Sequence, residues 1–242
     1  MLITKDNIND YKTVGRLGNQ LFIIAAAYSL ANQQNCDFRL SEWKYANTFK
    51  NVPIGYVGPT HSTYTEPAFT YIKPILYTTF GTISLNGYFQ SEKYFYNRES
   101  ICDLFLAEST HNYSDRVGIH IRRGDYLQCS HVHNNLCNTE YYSHAIEHSM
   151  TDRFVVFSDD IEFCKQYLAK YNKDFIYHNG DEIDDLLSMS TCKGNIIANS
   201  SFSWWGAYLN KNQDKIIMPR EWFTDDCIDS SDLHVKKWSL IK

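Results

Sequence analysis

Phe154-Val155-Val156-Phe157-Ser158-Asp159-Asp160-Ile161 decides the fold, because an unbroken apolar run meets a polar turn and then opens into helical periodicity. A strand covered on both faces has that continuous apolar character, whereas a half-exposed one alternates. Ile161, Cys164, Leu168 and Tyr171 follow at helix spacing, with Asp159 and Glu162 placed like a capping box. The unit then repeats. Phe175-Ile176-Tyr177 precedes Ile183, Leu186 and Leu187; Asn195-Ile196-Ile197-Ala198 precedes Ser203-Trp204-Trp205-Gly206-Ala207-Tyr208-Leu209; Lys215-Ile216-Ile217-Met218 stops at Pro219. Short strands alternating with amphipathic helices predict an α/β fold with a parallel, doubly wound sheet.

Upstream, Val117-Gly118-Ile119-His120-Ile121-Arg122-Arg123-Gly124-Asp125-Tyr126 runs an apolar strand into two guanidiniums at a glycine turn. Arginine offers a planar fork of donors that stays ionised and matches phosphate oxygens two at a time. Strand alternation puts His120 and Arg122 on one face and Ile119, Ile121 and Arg123 on the other. Arg122, at the carboxyl end where open α/β sheets bind ligands, is therefore the candidate ligand contact, and Arg123 is expected to orient the turn or pair with Asp125. Thr139 is a plausible N-cap for a helix carrying Tyr142, Ala145 and Ile146. Arg123-Gly124-Asp125 also spells an adhesion tripeptide, but that motif works on exposed flexible loops and this one ends an apolar strand.

The first half is less regular. Gly18-Asn19-Gln20 leads into a helix over about residues 21–32; Asp37-Phe38-Arg39-Leu40 and Thr82-Ile83-Ser84-Leu85 read as strands, and 44–79 is aromatic and proline-punctuated. The polar stretch 108–116 lacks apolar periodicity, and a domain boundary is expected there, dividing the chain into 1–112 and 113–242. A chain that is 43% hydrophobic and 15% aromatic can bury a core and is not disordered, and its net charge of −5 gives no basis for nucleic-acid binding. The amino terminus lacks a secretory core, and the apolar run Leu21 to Leu30 is too short to span a bilayer, so a soluble cytoplasmic protein is expected. Seven cysteines without a C-x-x-C fit a reducing compartment better than a disulfide framework. Cys129, His131, His133 and Cys137 are zinc-type residues, yet their spacing fits none of the usual patterns, and a polar loop is the preferred reading.

Four segments together carry a specific resemblance: Gly15-Arg16-Leu17-Gly18-Asn19-Gln20-Leu21-Phe22, Gly87-Tyr88-Phe89-Gln90-Ser91-Glu92-Lys93-Tyr94-Phe95, His120-Ile121-Arg122-Arg123-Gly124-Asp125-Tyr126 and Asn199-Ser200-Ser201-Phe202-Ser203-Trp204-Trp205-Gly206-Ala207. In this order they resemble glycosyltransferase family 11, the α-1,2-fucosyltransferases. The resemblance implies a GT-B architecture of two Rossmann-like domains facing a cleft, an acceptor-side domain (1–112) followed by a GDP-sugar domain (113–242). It also implies inverting transfer of L-fucose from GDP-β-L-fucose to a glycan hydroxyl, with no required metal or cofactor. Asp10-Tyr11-Lys12-Thr13-Val14 stands where the family has a more apolar leading strand.

By the same resemblance Arg16 and Asn19 face the donor, Arg122 clamps the diphosphate, and Asp160 accepts the guanine N–H groups. Ser201, Phe202 and Ser203 form a diphosphate-contacting turn, where a helix start also receives an anion; Ser201 or Ser203 as a mere N-cap is the plainer reading. His120 and Asp125 complete the catalytic set. Trp204 and Trp205, at the start of an amphipathic helix, read as core or interface and not as sugar platforms. Asp159-Asp160 could carry Mg²⁺ in a different transferase class, but the arginine clamp makes a metal redundant. Asp159 remains credible as a helix cap. Glu92 and Asp125 are the nearest candidates for a base, and pairing of Asp125 with arginine lowers its basicity. The competing reading is a non-catalytic nucleotide-sugar or glycan-binding module.

Overall fold

The computed structural model describes residues 1–242 except 79, 129, 130 and 225–227. In chain order the elements are β1 (Leu2–Thr4), α1 (Tyr11–Val14), α2 (Leu17–Gln33), β2 (Asp37–Phe38), β3 (Ser62–Thr65), β4 (Thr82–Asn86), α3 (Arg98–Leu104), β5 (Val117–Ile121), α4 (Tyr141–His148), β6 (Arg153–Ser158), α5 (Ile161–Leu168), β7 (Asp174–Tyr177), α6 (Glu182–Ser190), β8 (Gly194–Ile196), α7 (Ser201–Tyr208), β9 (Ile216–Pro219) and β10 (Ser239–Ile241). The chain divides into two compact units, Met1–Ala107 with Ser231–Leu233, and Glu108–Ser230 with His234–Lys242.

The first unit holds a four-stranded sheet of order β2-β1-β4-β3, parallel throughout. Its central helix is α2, buried on nearly every side from Leu17 to Ala31. A helix that is apolar all round belongs inside a core. Among the described residues no helix is long and apolar enough to cross a membrane. α2 begins at Leu17, four residues before the expected start, because Gly15 turns the chain at φ 84° and Gln20 bonds back through Nε2 to the Gly15 carbonyl (3.1 Å). The leading strand is Leu2–Thr4; Tyr11–Val14 is instead a single helical turn capped by Asp10, whose carboxylate accepts from the Lys12 amide.

The second unit holds a six-stranded parallel sheet of order β10-β9-β8-β5-β6-β7. Val117, Ile119 and Ile121 of β5 pack with Tyr142, Ala145 and Ile146 of α4 and Cys164 and Leu168 of α5. On the opposite face, a Cβ at Gly118 would lie 3.0 Å from Cys192 Sγ, so the chain behind α6 closes over β5 from the other side. The sheet is thus doubly wound, as the alternation of segments requires. Trp204 and Trp205 are both fully buried, with Trp204 stacked on Tyr208 at 4.7 Å, so they are core residues.

Strand order turns at β5, which has β6 on one side and β8 on the other. Where successive connections leave in opposite directions, their loops part and open a crevice at the carboxyl ends of the strands. Residues 122–126, 158–160 and 197–202 all lie at that edge.

Candidate active site

Backbone pairing of β5 with β6 sets Ile121 opposite Ser158, which brings Arg122 and Arg123 against Asp159 and Asp160. Arg122 Nη1 pairs with Asp159 Oδ2 at 2.9 Å, and Nη2 with Asp125 Oδ1 at 2.6 Å. Asp159 Oδ1 accepts the Arg123 amide at 2.9 Å, so one carboxylate ties the turn's backbone to the guanidinium beside it. Gly124 is required here. A Cβ at that position would lie 2.5 Å from Asp159 Oδ2.

Arg123 is built in differently. Its guanidinium carbon sits 3.3 Å above the Phe163 ring, and its Nε donates to Asp160 Oδ2 at 3.1 Å. Asp125 pairs with Arg122. The expected alternation does not reach the arginines, because β5 ends at Ile121 and both arginines lie in the irregular segment before the turn at Gly124.

Three cap assignments also change. Asp160, not Asp159, is the N-cap of α5, accepting the Phe163 amide through Oδ1 at 3.1 Å. Its Oδ2 accepts from Arg123, and with one bond on each oxygen the carboxylate, 39% exposed, keeps acceptor sites facing outward. Asp160→Ala is expected to lower stability by about 1 kcal/mol through loss of the cap, while Asp160→Asn keeps most of it. Urea midpoints compare the two. A GDP affinity that collapses in Asp160→Asn at unchanged stability is the result expected if this carboxylate accepts the guanine N–H groups. For α7 the N-cap is Ser200, which receives no first-turn amide through its side chain. Ser203 is buried, its hydroxyl donating to the Ala198 and Ser200 carbonyls at 3.2 Å each, so it locks the turn from inside and does not reach outward. At α4, Glu140 is the N-cap, and Thr139 Oγ1 accepts the Tyr141 amide at 3.2 Å.

The rest of the edge is packed from rings. The Tyr126 hydroxyl donates to the Asn199 carbonyl at 3.0 Å, and its ring stacks on His133 at 4.0 Å. Asn199 Nδ2 donates to the Asn134 and Trp222 carbonyls, which fixes the approach to α7. Cys129 lies outside the described residues; His133 is engaged with Tyr126, and burial raises the Cys137 thiol to about 12, so neither is presented as a ready ligand.

His120 is 4% exposed, its ring lies 5.5 Å from that of Phe202, and its Nδ1 has no hydrogen-bond partner among the described residues. Burial, assisted by the Arg122 guanidinium, pushes its imidazole down to about 3. It is a neutral ring, unable to act as a cation at ordinary pH. The folded state then resists a proton that the unfolded chain accepts near 6.5, so stability is expected to fall as pH drops from about 6.5 towards 3. Thermal melts at pH 7.5 and 5 show this slope for the parent and a shallower one for His120→Asn.

In the first unit, two of the sequence segments meet. Gln90 Nε2 donates to Asn19 Oδ1 at 2.8 Å, and a Cβ at Gly15 would collide with Asn19 Nδ2. Arg16 is the N-cap residue of α2. Glu66 Oε2 accepts the Tyr88 and Phe89 amides at 2.8 and 2.9 Å, holding Phe89 at φ 52°, a strained value for a non-glycine residue. Burial raises the Glu92 carboxyl. Sequence reasoning missed the Glu66 clamp, and also a group formed by His111, His178 and Asp184 in the second unit. Glu66 and His111 meet partners 22 and 73 residues away, and no local pattern marks them.

Residues 61–242 match the family described as Glycosyl transferase family 11. The chain is 31% identical over 287 aligned positions to an α-1,2-colitosyltransferase of Escherichia coli, covering 96% of this chain and 98% of that protein. It is 35% identical over 135 residues to the O-antigen biosynthesis glycosyltransferase WbnK of Escherichia coli, covering 52% of this chain and 44% of that protein. It is 28% identical over 103 residues to galactoside α-(1,2)-fucosyltransferase 1 of Bos taurus, covering 38% and 29% respectively. In three dimensions it resembles the crystal structure of NodZ α-1,6-fucosyltransferase soaked with GDP-fucose, with a TM-score of 0.50 at 12% identity, covering 86% of this chain and 92% of that one. That likeness and the two parallel sheets establish a GT-B type α/β fold.

Proposed function

We propose that this chain, which belongs to glycosyltransferase family 11, transfers L-fucose from GDP-β-L-fucose to a hydroxyl of a galactoside, forming an α-1,2 linkage with inversion at the anomeric carbon. The observation that carries this reading is the Arg122 guanidinium, held at the strand-order switch by Asp159 and Asp125. As the bond from C1 to the β-phosphate oxygen breaks, negative charge grows on that oxygen while the sugar becomes oxocarbenium-like. A fixed guanidinium stabilises this state more than the ground state.

The resting site contains one more carboxylate than guanidinium, counting Arg122 and Arg123 against Asp125, Asp159 and Asp160. A diphosphate is therefore expected to displace a carboxylate. Asp125, 46% exposed, is the one able to swing into solvent. His120 Nδ1, buried with no hydrogen-bond partner among the described residues, is proposed to meet the donor as a neutral hydrogen-bonding atom. Ser201 and Phe202, at the start of α7, are proposed as further donor contacts. The acceptor oxygen attacks C1 from the face opposite the departing GDP, and its proton leaves late, to water or to the departing phosphate. No metal is required in this scheme.

The E. coli colitosyltransferase makes a second donor specific enough to test. Purified protein is incubated with β-galactosides and either GDP-fucose or GDP-colitose, and GDP release and product linkage are measured. Transfer from GDP-fucose, unchanged by adding Mg²⁺ or Mn²⁺ to EDTA-treated protein, supports the reading. Transfer only from GDP-colitose moves the donor. Absence of GDP release with either donor, in the presence or absence of acceptor, leaves the non-catalytic binding module.

A further inference from the structure

Away from the arginine turn, the second unit brings together His111, His178 and Asp184, whose potential ligand atoms all lie within 4.8 Å of one another. Three separate stretches deliver them. His111 lies in the segment that opens the unit, His178 follows the last residue of β7, and Asp184 stands in the first turn of α6. Asp184 Oδ1 is 3.2 Å from His111 Nδ1, and its Oδ2 is 3.0 Å from His178 Nε2. Ligands on a tetrahedral zinc ion, with bonds of about 2.0–2.2 Å, stand only a little further apart than this, about 3.3 Å. The widest pair of ligand atoms, within 4.8 Å, closes to that spacing by side-chain rotation of the exposed His111.

The surroundings are those of a cation site. His178 is almost wholly buried, and its second nitrogen, Nδ1, is 3.0 Å from the Tyr113 hydroxyl, the kind of outer partner that fixes a ligating imidazole. Thr110 Oγ1 donates to Asp184 Oδ1 at 2.8 Å. Asp185 Oδ1 stands 3.5 Å from the same His178 Nε2, available as a fourth ligand in place of water. Among the described residues, no lysine or arginine pairs with Asp184 or Asp185; their ionic partners are imidazoles alone.

We propose that His111, His178 and Asp184 bind one Zn²⁺ ion, which clips the segment entering the second unit to the start of α6. Nitrogen and carboxylate ligands of this mixture suit zinc, whereas magnesium and calcium prefer oxygen alone. The ion is structural and takes no part in sugar transfer, so the proposal stands or falls apart from the proposed activity. Both imidazoles bind as neutral ligands, and zinc displaces the hydrogen-bonded protons that otherwise bridge them to Asp184.

The test is a Zn²⁺ titration of the full chain, first stripped with EDTA, against a chromophoric chelator, with melting temperature read in parallel. One equivalent is expected to bind and to raise the melting temperature. His111→Ala removes an exposed side chain and so retains the fold, and it is expected to weaken binding more than about tenfold, as is Asp184→Asn. His131→Ala, in the segment between Cys129 and Cys137, is expected to leave binding unchanged. No stoichiometric binding, parental affinity in both His111→Ala and Asp184→Asn, or loss of binding in His131→Ala would each overturn the proposal; the first would leave the group as a metal-free hydrogen-bonded clip.

Discussion

Arg122→Ala is expected to lower the transfer rate by about 10²–10³-fold, equivalent to about 2.7–4 kcal/mol in the barrier, while the protein stays folded. The guanidinium is 16% exposed, lies 5.6 Å from the Tyr126 ring centre and is not part of the apolar cluster around β5, so its loss removes a charged donor and leaves the packing of β5 intact. Asp159 retains the Arg123 amide as a partner, so the turn itself persists. The loss falls on kcat, because the phosphate charge that Arg122 meets is greatest as the bond breaks. Arg123→Ala makes the contrast. It removes the guanidinium stacked on Phe163 and the partner of Asp160, so it costs stability and reduces activity less. Steady-state kinetics and melts on both variants check the pair. Parental activity in Arg122→Ala would remove the phosphate clamp and with it the proposed mechanism.

Much of the second unit was legible because its inner strands β5, β6 and β9 are covered on both faces and so carry continuous apolar runs. Phe154 to Phe157 and Ile216 to Met218 are both buried throughout. β1 and β10 escaped notice for the converse reason: each is three residues long and gives no period to count. The irregular stretch after Lys44 folds around β3, whose residues are mostly exposed and polar, so hydrophobicity offered little to read there.

The site was legible in its residue types and not in its pairings. Two adjacent arginines at a strand end announce an anion site, but which carboxylate meets which guanidinium depends on the neighbouring strand's register and on a turn where strand alternation no longer applies. Asp159 and Asp160 look interchangeable in the sequence. The fold separates them: one caps α5 and braces Arg123, and the other binds the turn. His120 was visible as a histidine beside an arginine, while its depressed basicity follows from burial by α7 and the surrounding core, which no local pattern encodes.

That separation makes Asp159→Ala the second large effect, with an expected loss of about ten- to hundredfold in kcat/KM. Both Asp159 oxygens are used, one by the Arg123 amide and the other by Arg122 Nη1, and hydrogen bonds to charged groups are worth about 1.5–3 kcal/mol. Removing them frees the turn to sample other conformations, so the guanidinium is no longer fixed where phosphate charge develops. Asp125 holds the same arginine from solvent. An exposed pair of that kind contributes only about 0.2–1 kcal/mol, and its carboxylate competes with the incoming phosphate. Asp125→Asn is therefore expected to leave GDP affinity within a few-fold of the parent, or to tighten it, whereas Asp159→Ala weakens it. Gly124→Val supplies a third arm, since a side chain at that position pushes the Asp159 carboxylate out of place and should reproduce the Asp159→Ala defect with both carboxylates still present. GDP titration calorimetry and kcat/KM on the three variants measure this. If Asp125→Asn proved as damaging as Asp159→Ala, the exposed carboxylate would be the organiser of the turn, and the division of labour drawn from the distances would be wrong.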